Sequence, residues 1–321
     1  MEEQAMARAA ELGRAVLGTT SPNPPVGAVS LDASGAVVGE GATQPPGGLH
    51  AERVALLAGP AHTVVTTLEP CNHTGRTGPC SEALIDAGVR RVVYAHADPT
   101  ALAGGGAQRL RDAGVEVVHL PAPEGALAGW LHLQRTGRPF VTWKYAATLD
   151  GRSAAADGTS QWITGEESRA DVHVLRAQVD AVVAGSGTVL QDDPALTART
   201  GGHVVQPLRV VVDRRARVPA TARALGEGAL HITDDRDVLA DLKQRGVVRV
   251  LLEGGPTLAA AFWRAGLVDE VVAYLAPALL GAGASAVGDL GIGTIADTAR
   301  LHITDVTRFG EDVRITMRKA G

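Results

Sequence analysis

Short β-branched runs alternate with helix-patterned stretches along almost the whole chain, and the alternation is interrupted once. Such a pattern limits the fold to sheets with helices packed on both faces. Residues 1–17 read as a helix, with Met6, Ala9, Ala10, Gly13, Val16 and Leu17 at helical spacing, until Pro22, Pro24 and Pro25 stop it. Val26–Ser30 and Ala36–Glu40 read as strands around an Asp32–Gly35 turn. A helix opening near His50 follows, then a strand over Thr63–Leu68, a helix over Cys80–Ala87 closed by Gly88 and a strand over Arg91–Ala95. A helix over Gln108–Ala113, closed by Gly114, and a strand over Val115–Leu120 complete the first set. The interruption is Pro121, Pro123, a short helical stretch around Leu127–Gln134 and the turn-rich Thr136-Gly137-Arg138-Pro139. It places a domain boundary between 1–138 and 139–321. The pattern then restarts, with strands at Phe140–Tyr145, Ala181–Ala184, Leu208–Val212, Val247–Leu252 and Glu270–Leu275. Helices fall at Glu166–Gln178, Val238–Arg245 and Pro256–Arg264, and a hairpin around Gly310-Glu311-Asp312 closes the chain.

With 321 residues, 45% of them hydrophobic, each half can bury its own core. The net charge of −5 argues against a nucleic-acid or membrane-surface partner, which calls for a basic field. There is no charged-then-apolar leader and no apolar run of spanning length, so a soluble cytoplasmic protein is expected. The cysteine count is two, Cys71 and Cys80. That is too few for a disulfide framework, and a close pair in a cytosolic chain points to metal or catalysis.

The pair belongs to a larger constellation: His50-Ala51-Glu52, then Pro70-Cys71, then Cys80. One imidazole and two thiolates can hold zinc and leave a fourth position open, as catalytic zinc requires. Zinc lowers the pKa of water, and a nearby carboxylate off the metal must then carry the proton. Glu52 suits that role. A His-x-Glu followed by Pro-Cys-x-x-Cys is the zinc deaminase signature. Here the whole Asn72–Pro79 loop replaces the two residues between the cysteines. His50 and Cys80 fall at helix starts, where a thiolate is favoured, and Cys71 follows a strand end. Taken singly, the histidine could be a cap, and the cysteines could be unrelated thiols or a closed structural zinc site.

The long loop, Pro70-Cys71-Asn72-His73-Thr74-Gly75-Arg76-Thr77-Gly78-Pro79-Cys80, resembles the zinc site of the bifunctional deaminase/reductase family of riboflavin biosynthesis. Pro22-Asn23-Pro24-Pro25-Val26-Gly27 is similar to the family's Pro-Asn-Pro-x-Val-Gly segment. The resemblance implies zinc ligation by His50, Cys71 and Cys80, a proton shuttle at Glu52 and a pyrimidine contact at Asn23, with His73 and Arg76 reaching toward the substrate phosphate. It also implies a cytidine-deaminase-like three-layer α/β/α first domain. The chain departs from the family at Thr43, where a His is usual, at Gly78, where Pro is usual, and at Thr100, where Asn is usual.

The second half carries the same family's reductase motifs: Lys144–Arg152, Ser160–Thr164, Leu175-Arg176-Ala177, Gly187–Leu190, Asp192–Thr197 with Arg199, and Glu253–Leu258. They imply a dihydrofolate-reductase-like α/β domain. NADPH contacts then fall on Ala146, Trp162, Thr188, Asp192, Gly255, Pro256, Thr257, Leu258, Ala259, Ala260 and Ala261. Substrate contacts fall on Lys144, Ser160, Arg176, Leu196, Arg199 and Glu253. Physically, the glycine turn at Gly254-Gly255 before Pro256 frees backbone N–H groups that suit a phosphate. Guanidinium groups such as Arg176 and Arg199 bind phosphate bidentately, although read alone they could be surface arginines. A strand lysine such as Lys144 usually faces solvent, and a tryptophan such as Trp162 is usually core. The absence of G-x-G-x-x-G disfavours an ordinary Rossmann domain. The stretch from Arg214 to Asp241 carries no recognised motif.

The expected activity is therefore zinc-dependent deamination of a ribosylated diaminopyrimidinone phosphate, followed by NADPH-dependent reduction of its ribosyl group. The expected partner is a small phosphorylated pyrimidine, bound by a homo-oligomer. Two alternatives differ in kind: a zinc deaminase for another base or nucleoside with a degenerate second domain, and a non-catalytic zinc-stabilised binding protein.

Overall fold

The computed structural model describes residues 1–75, 78–202 and 204–319. The chain divides into two units, Met1–Arg138 and Pro139–Gly321.

The first unit is built on a five-stranded sheet in the order β2-β1-β3-β4-β5, formed by β1 (Gly27–Leu31), β2 (Val37–Ala42), β3 (Thr63–Leu68), β4 (Arg91–His96) and β5 (Glu116–His119). β1 runs antiparallel to β2 and β3, while β3, β4 and β5 are parallel. Alternate residues of the β-branched strands face opposite ways. Val29, Val65 and Val93 pack under Ala5, Met6 and Ala9 of α1 (Glu2–Ala15). Val64 and Val92 pack against Leu84 of α3 (Cys80–Asp86) and Leu110 of α4 (Gly106–Asp112). The result is a three-layer α/β/α unit, completed by α2 (Ala51–Leu56) and α5 (Ala128–Thr136).

Two close approaches position this unit's site. A Cβ on Gly41 would lie 2.2 Å from the Ala51 carbonyl oxygen, so only glycine lets α2 settle on β2. A Cβ on Gly106 would lie 1.7 Å from the Pro70 oxygen, so α4 can start directly beneath the Pro70-Cys71 turn.

The second unit holds an eight-stranded sheet in the order β12-β13-β11-β6-β10-β7-β8-β9. Its strands are β6 (Phe140–Thr148), β7 (Ala181–Gly185), β8 (Leu208–Val212), β9 (Leu230–Ile232), β10 (Arg249–Leu252), β11 (Glu270–Ala276), β12 (Leu301–Phe309) and β13 (Asp312–Lys319). β6 to β11 are mutually parallel through their neighbours, and β12 and β13 form the antiparallel hairpin. One face packs on α8 (Val238–Gln244) and α9 (Pro256–Arg264) through Leu239, Leu242, Ala259 and Phe262. The other is covered by α6 (Glu166–Ala177) and α7 (Ser186–Asp192), which contribute Val172 and Val189.

Two elements differ from the sequence expectation. α7 was hidden in a Gly-Thr-Val-Leu motif preceded by glycine, and the three-residue β9 is too short for a period-two pattern to register. Among the described residues, no helix is long and apolar enough to cross a membrane.

Candidate active sites

In the first unit His50 is the residue before α2, Cys71 follows β3, and Cys80 opens α3. The ligand atoms of these three lie within 4.8 Å of one another. His50 Nδ1 is 3.5 Å from Cys71 Sγ and 3.3 Å from Cys80 Sγ. Zinc bonds of about 2.3 Å to sulfur and 2.0 Å to nitrogen, set tetrahedrally, would separate N and S by about 3.5 Å. The donor set and its spacing therefore fit zinc through Nδ1. The Cys80 backbone N–H also points at Cys71 Sγ, at 3.4 Å. Hydrogen bonding from Cys80, helped by His50 against the cost of burial, lowers the Cys71 thiol to about 4. Cys80 is pushed up by its hydrogen bond to Cys71 and by burial. Both sulfurs can be thiolate together only beside a cation, which is the chemistry of this donor set.

Glu52 is 4% exposed, on the first turn of α2, and lines the same pocket of about 190 Å³. Burial pushes its carboxyl up to about 7, and the charge on Cys71 adds to this. A carboxyl near neutrality can both take and return a proton. Asn23 and His73 line this pocket as well. Arg76 lies outside the described residues. Thr43 is buried, and its Oγ1 accepts the Val26 N–H at 3.1 Å, which pins the segment carrying Asn23. Arg53 donates to the Gly78 oxygen at 3.0 Å, and Thr100 donates from N and Oγ1 to Asp98, so these departures sit in ordered surroundings. Sequence reasoning missed Glu69, Asp98 and Trp130 on the pocket wall. Glu69 is buried and accepts the N–H groups of Asp98 and Ala107, tying the β4–α4 loop to the end of β3.

The second unit has a cleft of about 1410 Å³ along the carboxyl ends of its parallel strands. Lys144, Ala146, Ser160, Trp162, Arg176, Thr188, Asp192, Leu196, Arg199 and Glu253 all line it. Arg176 grips Glu253 bidentately, Nε to Oε1 at 2.6 Å and Nη2 to Oε2 at 2.9 Å. Lys144 Nζ is 3.9 Å from Glu253 Oε2, with side chains only 16% and 9% exposed. Lys144 thus points into the cleft rather than to solvent, because its place in the alternation of β6 sets it beside β10, whose end carries Glu253. Burial lowers its pKa, against the pull of Glu253. For Glu253 burial alone would raise the carboxyl, but Arg176 holds it below the usual range.

Trp162 is 69% exposed with the Arg169 guanidinium 4.6 Å from its ring centroid, so it is a cleft-side platform and not core. Ser160 donates to Asp192 at 3.0 Å, and the Gly255 N–H to Thr188 Oγ1 at 2.9 Å. Within the run from Gly255 to Ala261, Gly255, Pro256, Thr257, Leu258 and Ala261 border the cleft. Ala259 and Ala260 do not: helical winding turns them inward, and both are buried. His173 was not foreseen. Its Nε2 is 3.0 Å from Arg199 Nη2 and its Nδ1 is 3.1 Å from the Thr197 oxygen, so it aims Arg199 across the cleft. Its position three residues before Arg176, one helical turn away, was the available signal.

Comparison with known proteins gives a consistent result. The family description "RibD C-terminal domain" matches residues 139–315, and "Cytidine and deoxycytidylate deaminase zinc-binding region" matches residues 1–96. The chain is 50% identical to riboflavin biosynthesis protein RibD of Mycobacterium tuberculosis, over 98% of this chain and 96% of the relative. It is 39% identical to the Escherichia coli RibD over 97% and 98%. Among solved structures, RibD of Acinetobacter baumannii superposes with a TM-score of 0.90 at 37% identity, covering 100% of this chain and 99% of the other. A Thermotoga maritima diaminohydroxyphosphoribosylaminopyrimidine deaminase/5-amino-6-(5-phosphoribosylamino)uracil reductase gives 0.90 at 31%, covering 99% of each.

Proposed function

Because the chain belongs to the RibD family of bifunctional riboflavin biosynthesis enzymes, we propose that each unit performs one of two consecutive steps on one phosphorylated pyrimidine. The first unit removes an amino group from 2,5-diamino-6-ribosylaminopyrimidinone 5′-phosphate by hydrolysis. The second reduces the ribosyl group of the product to a ribityl chain.

The observation that carries the reading is the convergence of His50, Cys71 and Cys80 beside a buried Glu52 in one pocket. His50, Cys71 and Cys80 would hold zinc, which when bound would supply a Lewis acid able to make water a nucleophile near neutral pH. Glu52 accepts the proton of that water and delivers it to the departing amine, a role suited to its raised pKa. Asn23 hydrogen-bonds the pyrimidine edge, and the pocket walls exclude bulk water. His73 reaches toward the substrate phosphate.

In the second unit NADPH supplies the hydride. Ala146, Trp162, Thr188, Asp192 and the α9 start from Gly255 would hold the dinucleotide, and the N–H groups of Thr257 and Leu258 in the first turn of that helix suit its phosphates. Lys144, Ser160, Arg176, Leu196, Arg199 and Glu253 hold the sugar phosphate. Arg176 and Arg199 neutralise the phosphate, and Glu253 fixes Arg176 in place. Lys144 is the ammonium group placed to give a proton at the ring oxygen as the ribosyl ring opens.

The reading includes a cytoplasmic location and self-assembly. The exposed Ile303 and Val306 on the edge strand β12 support the latter. Light scattering on the purified protein reads it directly. Ammonia release from the diaminopyrimidine phosphate, compared with cytidine and guanine, tests the substrate assignment. Release from the first alone is the expected result; release only from the others overturns it.

A further inference from the structure

Among the described residues, the attractive partners of the Lys144 ammonium are Glu253 and the ring of Tyr274. Glu253 Oε2 lies 3.9 Å from Lys144 Nζ, but both carboxylate oxygens are already bonded to Arg176, at 2.6 and 2.9 Å. The Tyr274 ring centroid lies 5.7 Å from Nζ. Strand register brings the ring there. Tyr274 of β11 is paired with Ala146 of β6, and Val272 with Lys144. Paired residues on neighbouring strands point the same way, as do residues two apart on one strand. Lys144, Ala146, Val272 and Tyr274 therefore share the sheet face that α6 covers.

The ring is fixed from its far end. Tyr274 is fully buried, and its hydroxyl donates to Asp171 Oδ2 on α6. Arg314 of β13, the ladder partner of Tyr274, donates from Nη1 to the same oxygen at 2.8 Å and from Nη2 to Asp305 Oδ2 at 3.1 Å. The Phe309 ring packs against both, with centroids 6.5 Å from the Tyr274 ring and 5.1 Å from the Arg314 guanidinium. One helix thus sets both partners of the ammonium, since α6 carries Asp171 behind the ring and Arg176 behind Glu253. Burial pushes the Tyr274 hydroxyl up, and its bond to Asp171 adds to this, so the phenol stays neutral. Donating that proton toward a carboxylate polarises the ring and enriches its face in electrons. A cation within about 6 Å of such a face is attracted to it, more strongly when desolvated.

We propose that Tyr274 is a positioning residue for the reduction: its ring, pinned by Asp171 and Arg314, is the floor that keeps the Lys144 ammonium charged and aimed into the cleft. This rests on reading Lys144 as the proton donor of a reductase. The charged and titratable groups around the ammonium are Glu253 at the end of β10, Arg176 and its neighbour His173 on α6, Tyr274 on β11, and the Asp171–Arg314 pair behind the ring. Burial favours the neutral amine, Glu253 opposes it and Arg176 adds to it. Because Glu253 shares its charge with Arg176, the ring extends the pH range over which the ammonium survives. Without the ring the ammonium loses an attractive partner, so its pKa falls and the alkaline decline of reduction moves to lower pH.

The test is the pH profile of reduction of the deaminated ribosyl substrate by the full chain, followed as NADPH oxidation. Tyr274→Leu should move the alkaline decline down by about 0.5 to 1.5 pH units and lower kcat, with KM near the wild-type value. Tyr274→Phe, which keeps the ring, should recover most of that shift. Phenylalanines carrying successive ring fluorines at position 274 keep the shape while draining the ring face of electrons, so the decline should step to lower pH with each fluorine. That series decides the matter alone if Tyr274→Leu does not fold, and NADPH titration reports that each variant is intact. A decline that stays at the wild-type pH in Tyr274→Leu or through the fluorine series overturns the inference, even if kcat or stability falls, because the ring is then only packing. A wild type that reduces the substrate without an alkaline decline removes the role of Lys144 and the inference, and leaves the reductase reading in place. A wild type that oxidises no NADPH overturns that reading as well.

Discussion

The pocket of the first unit has a volume of about 190 Å³, while the cleft of the second is a long trough of about 1410 Å³. The small pocket gathers its reactive groups from two helix starts and one strand end. The trough draws on the ends of at least five parallel strands and on long polar side chains. The difference follows from the chemistry each must supply. Hydrolytic deamination needs an imidazole, two thiolates and a carboxylate at fixed positions, and few residue types can stand in for them. Hydride transfer brings its reactive atom with the cofactor, so the protein supplies shape, charge and backbone N–H groups, which many residues can provide.

The strongest way to break this contrast is Glu52→Gln. Deamination should fall by about 10² to 10⁴ or more, while zinc content stays at one per chain and reduction of the already deaminated substrate is unchanged. Ammonia release, metal analysis and NADPH oxidation measure the three. If reduction falls in step, the sites are not separate in function. Cys80→Ser should remove zinc and deamination together and again spare reduction, which metal analysis alongside NADPH oxidation would check.

Glu253→Gln acts in the opposite sense. It leaves Arg176 and Lys144 without their carboxylate partner in a largely buried setting. Breaking such a pair costs about 3 to 5 kcal/mol, which denaturant unfolding of the second unit should register, together with a raised KM for reduction and unaltered deamination. A pH profile sharpens the role of Lys144. Its pKa is lowered by burial, so the ammonium form is lost on raising the pH sooner than in an ordinary lysine. Reduction should therefore decline on the alkaline side, beginning below the usual lysine range. Lys144→Arg keeps the charge but cannot release a proton in this range, so reduction should fall across the whole profile and lose that alkaline limb. The smallest expected effect is that of Ser160→Ala, which removes the bond to Asp192 and should weaken cofactor binding by about 1 kcal/mol in a titration.

The same contrast explains what could be read in advance. His50, Glu52, Cys71 and Cys80 were legible because their chemistry leaves little choice of residue, and the strands that hold them are β-branched. The long Asn72–Pro79 loop pointed to the family. In the second unit Glu253 and Arg176 were visible as motif members, but their mutual grip depends on the β10–α6 juxtaposition, which no local pattern encodes. Ala259 and Ala260 were placed at the cofactor because a contiguous run was carried over whole, although a helix offers a ligand only one of its faces. Trp162 defeated a composition prior: it lies at the cleft edge, 69% exposed, with the Arg169 guanidinium stacked on its ring. His173 and Tyr274 went unread because single polar residues on a helix or in a strand acquire meaning only from what faces them.

The most direct test of two sites acting in sequence is incubation of the intact protein with the diaminopyrimidine phosphate, with and without NADPH, followed by mass analysis. Without NADPH the product should be the deaminated ribosyl compound alone, its amine replaced by oxygen. With NADPH it should be that compound carrying two further hydrogens. Recovery of unchanged substrate in both cases, or a deaminated product that NADPH leaves unreduced, would contradict the division of labour between the two units.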